Sequence, residues 1–532
     1  MPTFKLDDRD IEFQPGDTII QAAHRAGVDI PHYCWHPGLS VAANCRMCLV
    51  ELGPPPGRGP LLLDVLRYDA KTGEYIKTKK PKLVPACQQP LAEGMEVKSQ
   101  TSEHVAEARA AVQELLLLNH PVDCPICDQA GECRLQDYWL SHGANKKRML
   151  DEIVHKPKAV SFGPTIVYDA ERCIVCTRCV RFCDEVVGDH VLDKRERGNL
   201  SEIVLAPGRQ LDHPYTLMTE YVCPVGALTA KDFRFKARVW FLRSVPSVCV
   251  GCATGCNSYT DFDPRNQTVY RYRPRDNERV NKHWMCDEGM LDYRRIHSGR
   301  VLAARADGKQ VAVNVGLEAA ADACRKIDPS SSAVVLSAQH SNEDNFALLQ
   351  LAERLGVTRL FLSGRPEGEG DDILRSEDKN PNRTGVIGLC GLNAPGSFKD
   401  LAALAEQGSL KTVLALGSDA ALPDQASALS KIANLVSFAT HQGPFVEAAR
   451  VLLPASSWAE CDGTFVNRDG IAQVSDRAVR PQGQSQPAWK LIAGLASRLG
   501  HELGYKKVAD VQAALVPQER SGAAVQEAGA TA

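Results

Sequence analysis

The stretch "NHPVDCPICDQAGEC", residues 119–133, places one histidine and three cysteines at short intervals. The candidate ligands have the spacing His120-x3-Cys124-x2-Cys127-x5-Cys133. Pro121 cannot continue a helix, so we predict that a helix over 101–118 ends just before it. Three thiolates and an imidazole suit structural zinc, and they also suit an unusual iron–sulfur cluster. The spacing alone leaves both interpretations open.

The other cysteines of this 532-residue chain extend the pattern. Sixteen of the nineteen precede residue 290, and many are separated by only two or three residues. A cytosolic chain keeps few disulfides because its compartment is reducing. Bunched thiols in such a chain indicate metal binding. We expect the three later ones, Cys324, Cys390 and Cys461, to be core thiols.

Composition and charge exclude several classes of function. The chain has 62 basic and 65 acidic residues, a formal charge of −3, whereas nucleic-acid binders normally carry a basic excess. The start "MPTFKLDDRD" lacks the apolar segment of a secretory signal. No run of 18 apolar residues is present, so we expect any membrane role to come through a partner.

The amino-terminal hundred residues carry another set of candidate ligands, Cys34-x10-Cys45-x2-Cys48-x38-Cys87. Two close thiols on a tight loop with two distant ones favour a [2Fe–2S] cluster on a β-grasp ferredoxin domain, with zinc as the alternative. Here "FKLDDRDIEF" predicts a hairpin, and "DTIIQAAHRAGV" predicts a helix capped by Asp17. We expect "GPPPGRGP" (53–60) to be a loop insertion and "KTKKPK" (77–82) to be a solvated loop.

A third set follows the cysteine run of bacterial ferredoxins. Its spacing is Cys173-x2-Cys176-x2-Cys179-x3-Cys183, with Cys223 later in "CPVGAL". A Cys-Pro pair closes such a [4Fe–4S] site, and the last cysteine of the run serves a second cluster where one exists. A second tetrad cannot be assembled here. We therefore assign Cys173, Cys176, Cys179 and Cys223 to one [4Fe–4S] cluster and expect Cys183 to be a spare buried thiol.

A fourth set, Cys249-x2-Cys252-x3-Cys256-x29-Cys286, also suits a [4Fe–4S] cluster, with zinc as the alternative. These neighbours favour a [4Fe–4S] cluster at the His120 set as well. Fifteen cysteines and one histidine then supply one [2Fe–2S] and three [4Fe–4S] clusters, about fourteen irons. Several one-electron carriers in one chain indicate a conductor of electrons.

Five motifs resemble, in this order, those of the large iron–sulfur subunit (the G subunit) of NADH–quinone oxidoreductase, respiratory complex I. They are "CRMCLVE", "NHPVDCPICDQAGECRLQD", "ERCIVCTRCVRF", "CPVGALTAKDFRFKARVW" and "CVGCATGC". The resemblance covers essentially the whole chain. It implies a multidomain α/β and α+β protein: a β-grasp [2Fe–2S] domain, a helical module with a histidine-ligated cluster, a ferredoxin-like module, and a molybdopterin-oxidoreductase-like α/β domain without molybdenum.

The same resemblance implies a role. Electrons from NADH would enter from flavin on a partner subunit and leave toward smaller cluster subunits and quinone. The cluster of the Cys249 set would lie off that path. We expect no catalytic residue, flavin or molybdenum in this chain. We also expect a cytoplasmic location, peripheral on the inner membrane through partner subunits of the complex.

Two other families share the amino-terminal modules. An iron-only hydrogenase needs further grouped cysteines after Cys286, and this chain has none. A formate dehydrogenase needs a cysteine on molybdenum beside a histidine, but Gly391 follows Cys390. Cys286 is followed by acidic residues where such enzymes carry a basic one, and 300–532 is too short for two pterins. A catalytic molybdenum subunit of this type is kept as the alternative function.

Beyond residue 300, short β-rich runs alternate with helical ones, from "AVVLS" (333–337) to "NLVSFAT" (434–440), which indicates a parallel α/β sheet. The glycine-rich "GRPEGEGDD" (364–372) has four acidic residues that would repel phosphate, so we predict a surface loop. The predicted segments are 1–98 ([2Fe–2S] domain), 99–140 (histidine-ligated module), 141–240 (ferredoxin-like module), 241–300 (fourth-cluster domain), 301–516 (α/β domain) and 517–532 (flexible tail).

Overall fold

The computed structural model describes residues 1–53, 62–69, 71–144 and 148–519. The chain divides into two compact units, Met1–Trp240 and Phe241–Ala532. Apart from Gly53, the predicted insertion 53–60 lies outside the described residues. The last helix continues through Pro517 to Glu519, and the remainder of the predicted tail 517–532 lies outside the described residues.

Seven strands and one helix build the amino-terminal part of the first unit: β1 (Thr3–Leu6), β2 (Arg9–Glu12), β3 (Leu49–Leu52), β4 (Leu62–Asp69), β5 (Glu74–Pro81), β6 (Leu83–Pro85), β7 (Glu96–Lys98) and α1 (Ile19–Arg25). Five strands form one sheet in the order β2-β1-β7-β3-β6. The predicted hairpin is confirmed as the antiparallel pair β1 and β2. Helix α1 packs on the sheet, where Phe4, Ile19 and Val50 share one core.

Two predictions in this region are wrong in detail. The N-cap of α1 is Thr18, whose backbone N–H donates to the Gln21 side chain at 2.9 Å, while Asp17 forms an ion pair with Arg25. Most of "KTKKPK" lies in strand β5, which pairs with β4 in an exposed antiparallel ribbon, and not in a loop. A two-stranded ribbon pairs its backbone groups internally, so solvated lysines do not prevent strand formation.

Helices α2 (Glu103–Leu117) and α3 (Arg134–His142) follow. The predicted helix over 101–118 is confirmed, with Ser102 as its N-cap accepting from Val105 N–H at 3.3 Å. The remaining elements of this unit are β8 (Val160–Ser161), β9 (Ile166–Tyr168), β10 (Leu192–Arg195), β11 (Glu202–Leu205), β12 (Leu228–Ala230), α4 (Arg178–Phe182) and α5 (Leu217–Val222). They form a sheet β12-β9-β8 and a hairpin β10-β11 around the third cysteine set.

The second unit contains twelve described strands and eight described helices. The strands are β13 (Arg243–Val248), β14 (Asn257–Asp263), β15 (Thr268–Pro274), β16 (Ala304–Ala306), β17 (Lys309–Val311), β18 (Ser332–Ser337), β19 (Leu360–Ser363), β20 (Thr412–Leu416), β21 (Asn434–Ala439), β22 (Val451–Pro454), β23 (Gly463–Val466) and β24 (Ala472–Ser475). The helices are α6 (Asp287–Leu291), α7 (Val313–Cys324), α8 (Asn342–Arg354), α9 (Arg383–Cys390), α10 (Phe398–Glu406), α11 (Pro444–Ala448), α12 (Ala488–Arg498) and α13 (Val508–Glu519).

Its main sheet has seven strands in the order β17-β16-β22-β21-β20-β18-β19. The five from β22 to β19 are parallel, which confirms the predicted parallel α/β sheet, and β16 and β17 add an antiparallel edge. Alternate residues of one strand enter opposite cores: Val334 packs with α7, α8 and α12, whereas Val335 packs with α10 and α11. Among the described residues, no helix is long and apolar enough to cross a membrane.

Candidate metal centres

The first cysteine set lies beside the five-stranded sheet. Cys48 directly precedes β3, Cys87 lies two residues after β6, and Ala86 N–H donates to the Cys48 carbonyl at 2.9 Å. The thiols pair as Cys34 with Cys45 and as Cys48 with Cys87. The hydrogen bond from Cys45 lowers the pKa of Cys34, while the same bond and burial raise the pKa of Cys45. The fold therefore brings all four predicted ligands into one electrostatic environment.

The second set lines a cavity of about 660 Å³ between α2 and α3. His120 follows the end of α2, Cys124 and Cys127 bound one tight turn, and Cys133 is the N-cap of α3. Burial is the largest cause of a lowered pKa at His120, and the neutral imidazole is the form that ligates metals. All four predicted ligands face this cavity.

The turn of the second set is held by contacts that sequence reasoning missed. Arg238 donates to the Cys127 carbonyl at 2.6 Å and also to the Pro125 carbonyl. Arg172 pairs with Asp123 at 2.7 Å. A Cβ at Gly226 would overlap the Cys127 sulfur, so only glycine lets the chain after Cys223 pass this ligand. Gly226 belongs to the quoted motif "CPVGAL". Its contact with Cys127 joins residues about a hundred positions apart, so no short sequence pattern predicts it.

The third set is gathered by two short helices. Cys179 lies on α4 and Cys223 caps the carboxyl end of α5. Burial is the largest cause of raised pKa values at Cys173 and Cys176, both about 11, and at Cys223, about 12. Neighbouring thiolates add to each shift because like charges repel. A bound metal would relieve both penalties by holding the thiolates.

Cys183, predicted to be a spare thiol, lies near Cys179 of this set. It begins a single wide helical turn after α4, is fully buried as predicted, and its sulfur lies 3.5 Å from His213 Nε2. The other predicted core thiols differ among themselves. Cys324 and Cys390 are buried, whereas Cys461 is partly exposed and lines a small cavity in the second unit.

The fourth set closes around the end of β13 and the start of β14. Cys249 N–H donates to the Cys256 carbonyl at 2.8 Å, and Cys286 caps α6, its sulfur accepting from Gly289 N–H at 3.3 Å. Both thiols also lie near Gly289, where a Cβ would be 3.1 Å from the Cys249 sulfur and 3.4 Å from that of Cys286. Cys252 completes the lining of a small cavity. The four predicted ligands are therefore brought together.

A lysine beside the fourth set was not foreseen. Lys379 lines the same cavity, is 6% exposed and pairs with Glu288 at 3.0 Å. The sequence after Cys286 suggested an acidic site without a basic residue. The lysine comes from a segment 91 residues further along the chain, so only the fold reveals it.

The donor chemistry of all four sets fits iron–sulfur clusters. Thiolate sulfur is their usual ligand, and histidine replaces it in some centres. The second set has space beside its sulfurs, because it lines a large cavity and because Gly226, which lies against the Cys127 sulfur, has no side chain. Within the described ranges, no group of three or more His, Cys, Asp or Glu side chains is arranged to hold a single metal ion. A cluster spreads its ligands over several irons, so its donors need not converge on one point.

Comparison with known families supports this chemistry along the chain. Residues 1–102 match a 2Fe-2S iron-sulfur cluster binding domain, and residues 109–148 match the NADH-ubiquinone oxidoreductase-G iron-sulfur binding region. Residues 163–229 match the ferredoxin-like domain of NADH-quinone oxidoreductase subunit 3. Residues 280–498 match the molybdopterin oxidoreductase family. The chain is thus a multidomain α/β protein that binds iron–sulfur clusters.

Relatives that match more than half of this chain point the same way. The G subunit of NADH-quinone oxidoreductase from Rickettsia felis is 35% identical over 67% of this chain and 49% of its own length. This chain is a relative of that G subunit. The mitochondrial NADH dehydrogenase [ubiquinone] iron-sulfur protein 1 of Solanum tuberosum is 34% identical over 72% of this chain and 48% of its own length. The G subunit from Streptomyces coelicolor is 36% identical over 55% of this chain and 32% of its own length. The chain thus spans about half the length, or less, of these relatives.

Proposed function

We propose that this chain is an electron-transfer subunit of NADH–quinone oxidoreductase, complex I. It would relay single electrons from a flavin-bearing, NADH-oxidising partner subunit toward quinone. We propose that it works on the cytoplasmic face of the inner membrane, attached through other subunits of the peripheral arm. The observation that carries the proposal is that the sixteen predicted iron–sulfur donors form four sets, and that the members of each set gather at one place in the fold.

We assign one cluster to each set. The first set, a [2Fe–2S] site, consists of Cys34, Cys45, Cys48 and Cys87. The second set, a [4Fe–4S] site, consists of His120, Cys124, Cys127 and Cys133. The third and fourth sets, also [4Fe–4S] sites, consist of Cys173, Cys176, Cys179 and Cys223, and of Cys249, Cys252, Cys256 and Cys286. When bound, such clusters take up and release one electron at a potential set by ligands, charge and hydrogen bonds.

The chain's own residues hold the first three sets close to one another in one unit. Arg134, directly after Cys133, donates its N–H to the carbonyl of Pro224, directly after Cys223, at 3.1 Å. Tyr33, directly before Cys34, packs edge-on against Tyr138 of α3 with ring centroids 5.3 Å apart. These contacts join the second set to the third and the first to the second, which supports a relay.

The alternative is a catalytic molybdenum subunit of the formate dehydrogenase type. Lys379 favours it, because a basic residue does lie beside the fourth set. Against it, the cavity at the carboxyl ends of β18, β20 and β21 has a volume of only about 40 Å³. The stacked rings of His441 and Trp458, with centroids 5.9 Å apart, line this cavity. Ligand pockets typically hold about 300–1,000 Å³. Cys390 does not line that cavity.

Metal analysis of the purified full-length chain tests the proposal. We expect about fourteen irons per chain and no molybdenum. Stoichiometric molybdenum would refute the relay proposal in favour of the alternative. The partner proposal is tested separately, by whether a flavoprotein that oxidises NADH co-purifies with the tagged chain from its native membrane extract.

A further inference from the structure

Two arginines of the short helix α4 lie between the first and third cysteine sets. Arg178 is 4% exposed, and it donates from Nη1 to the Val222 carbonyl at 3.2 Å and from Nη2 to the Trp35 carbonyl. Val222 directly precedes Cys223, and Trp35 directly follows Cys34. One guanidinium therefore ties the backbone beside a first-set ligand to the backbone beside a third-set ligand.

Arg181 makes the same connection one turn later. Its Nη2 donates to the Cys34 carbonyl at 2.6 Å and to the Cys176 carbonyl at 3.3 Å, and its Nη1 donates to the Ser40 carbonyl. Positions three apart share one face of a helix, so both side chains leave α4 toward the first set. Cys34 and Cys176 are candidate ligands of different clusters, and Arg181 contacts the backbone of both.

Neither cation has a carboxylate partner. In the part of the chain that the structure describes, no Asp or Glu oxygen lies within ion-pair distance of either guanidinium, and Arg178 Nε has no hydrogen-bond partner. Arginine keeps its proton in proteins, so both guanidinium groups are charged at neutral pH. A buried cation without a counter-charge is strongly destabilising. The thiolates of the two sets are nearby negative groups, and the Glu185 carboxylate accepts from the N–H and the hydroxyl of Ser40, whose carbonyl Arg181 contacts.

We propose that Arg178 and Arg181 are positioning residues shared by the first and third cluster sites and raise both reduction potentials together. The inference rests on the proposed iron–sulfur occupancy. Reduction adds one negative charge to a site, and a nearby cation favours that state. Because the same two cations act on both sites, both potentials move in one direction.

The test is a redox titration of the full-length, cluster-loaded chain followed by electron paramagnetic resonance. Arg178→Gln and Arg181→Gln should each make reduction at both sites at least tenfold less favourable, which corresponds to about 59 mV for one electron. Arg178→Lys keeps the charge and should recover most of that shift. The inference is overturned if only one site or neither responds, or if the lysine variant behaves like the glutamine variant.

Two other arginines serve as matched controls. Arg109 is fully buried and donates to Ser99 and to the Leu49 carbonyl beside the first set, so Arg109→Gln should shift only the first potential. Arg195 is an exposed arginine paired with Glu202, and Arg195→Gln should shift neither.

Assembly is checked before any potential is compared. If Arg178→Gln loses iron, the test rests on Arg181→Gln, because Arg181 is more exposed. The potentials of the first and third sites are then compared between that variant and the native chain. The native chain is measured first for iron and for both signals. A native chain that lacks them refutes the proposed function itself, whereas normal signals with unmoved potentials refute only the shared role of the arginines.

Discussion

Some buried arginines of the two compact units differ in their partners, although the buried Arg172 of the first unit does pair with Asp123 and Asp169. In the second unit, Arg300 forms a two-pronged ion pair with Glu460 at 2.6 and 3.2 Å, with side chains 2% and 0% exposed. In the first unit, Arg109 and Arg178 are comparably buried. Among the described residues of that unit, however, neither has an acidic partner within ion-pair distance.

From this difference we predict which unit depends more strongly on its proposed cofactors. The second unit supplies its own counter-charges and a large aliphatic core around a seven-stranded sheet. The first unit places cations next to thiolates, so its charge balance is complete only when those thiolates are ionised and held by metal. We therefore expect metal loss to affect the two units unequally.

The largest expected effect follows removal of iron with a chelator under anaerobic, reducing conditions. The first unit should lose hydrogen-exchange protection in α4, α5 and the five-stranded sheet, because repelling thiolates and unpaired arginines remain. The parallel strands β18 to β21 should stay protected. Equal loss in both units, or none in the first, would contradict the comparison.

The next effect concerns the internal ion pair of the second unit. Arg300→Gln leaves the Glu460 carboxylate buried without its cation and should lower the free energy of unfolding by about 3–5 kcal/mol, measured by denaturant titration. The control is Arg450→Gln, whose exposed pair with Asp307 should contribute less than about 1 kcal/mol. Iron content of the first three sites should be unchanged in both variants. Iron loss from those sites in Arg300→Gln would show that the units are not independent in this respect.

Sequence reasoning worked where the relevant physics is local. The strands of the α/β domain follow hydrophobic runs, so "AVVLS" and "NLVSFAT" are predicted at the positions of β18 and β21. The ligand sets follow short spacings that a tight loop or one helical turn imposes, and the fold gathers each predicted set. The strand β5 was missed because charge pattern, taken alone, does not distinguish a solvated ribbon from a loop.

Features that depend on distant contacts were not predictable. Arg178 and Arg181 flank Cys179 in "CTRCVRF". Two arginines among closely spaced candidate ligands could have suggested that their charges lie near a cluster site. Their partners, however, are carbonyls of residues such as Trp35 and Val222. Lys379 reaches Glu288 across 91 residues. Such contacts arise from tertiary packing and carry no periodicity or spacing in the sequence.

A smaller effect is expected from a substitution in the first unit that alters packing beside a ligand without altering charge. Gly226→Ala places a methyl group against the Cys127 sulfur and should reduce iron content by about four per chain through loss of the second site. Gly388→Ala in α9 meets nothing within 4 Å and should be neutral or stabilise by up to about 1 kcal/mol. Full iron content in Gly226→Ala would mean that the turn of the second set can move aside.

The smallest expected effect distinguishes the spare thiol from a ligand. Cys183→Ser should retain all iron and change the free energy of unfolding by less than about 1 kcal/mol, because a hydroxyl can keep the contact with His213. Cys223→Ser removes an assigned ligand and should cost the third site its iron, about four per chain. If Cys183→Ser also loses iron, Cys183 contributes to a cluster. The first unit would then hold one more thiolate beside its unpaired arginines than the present assignment gives it.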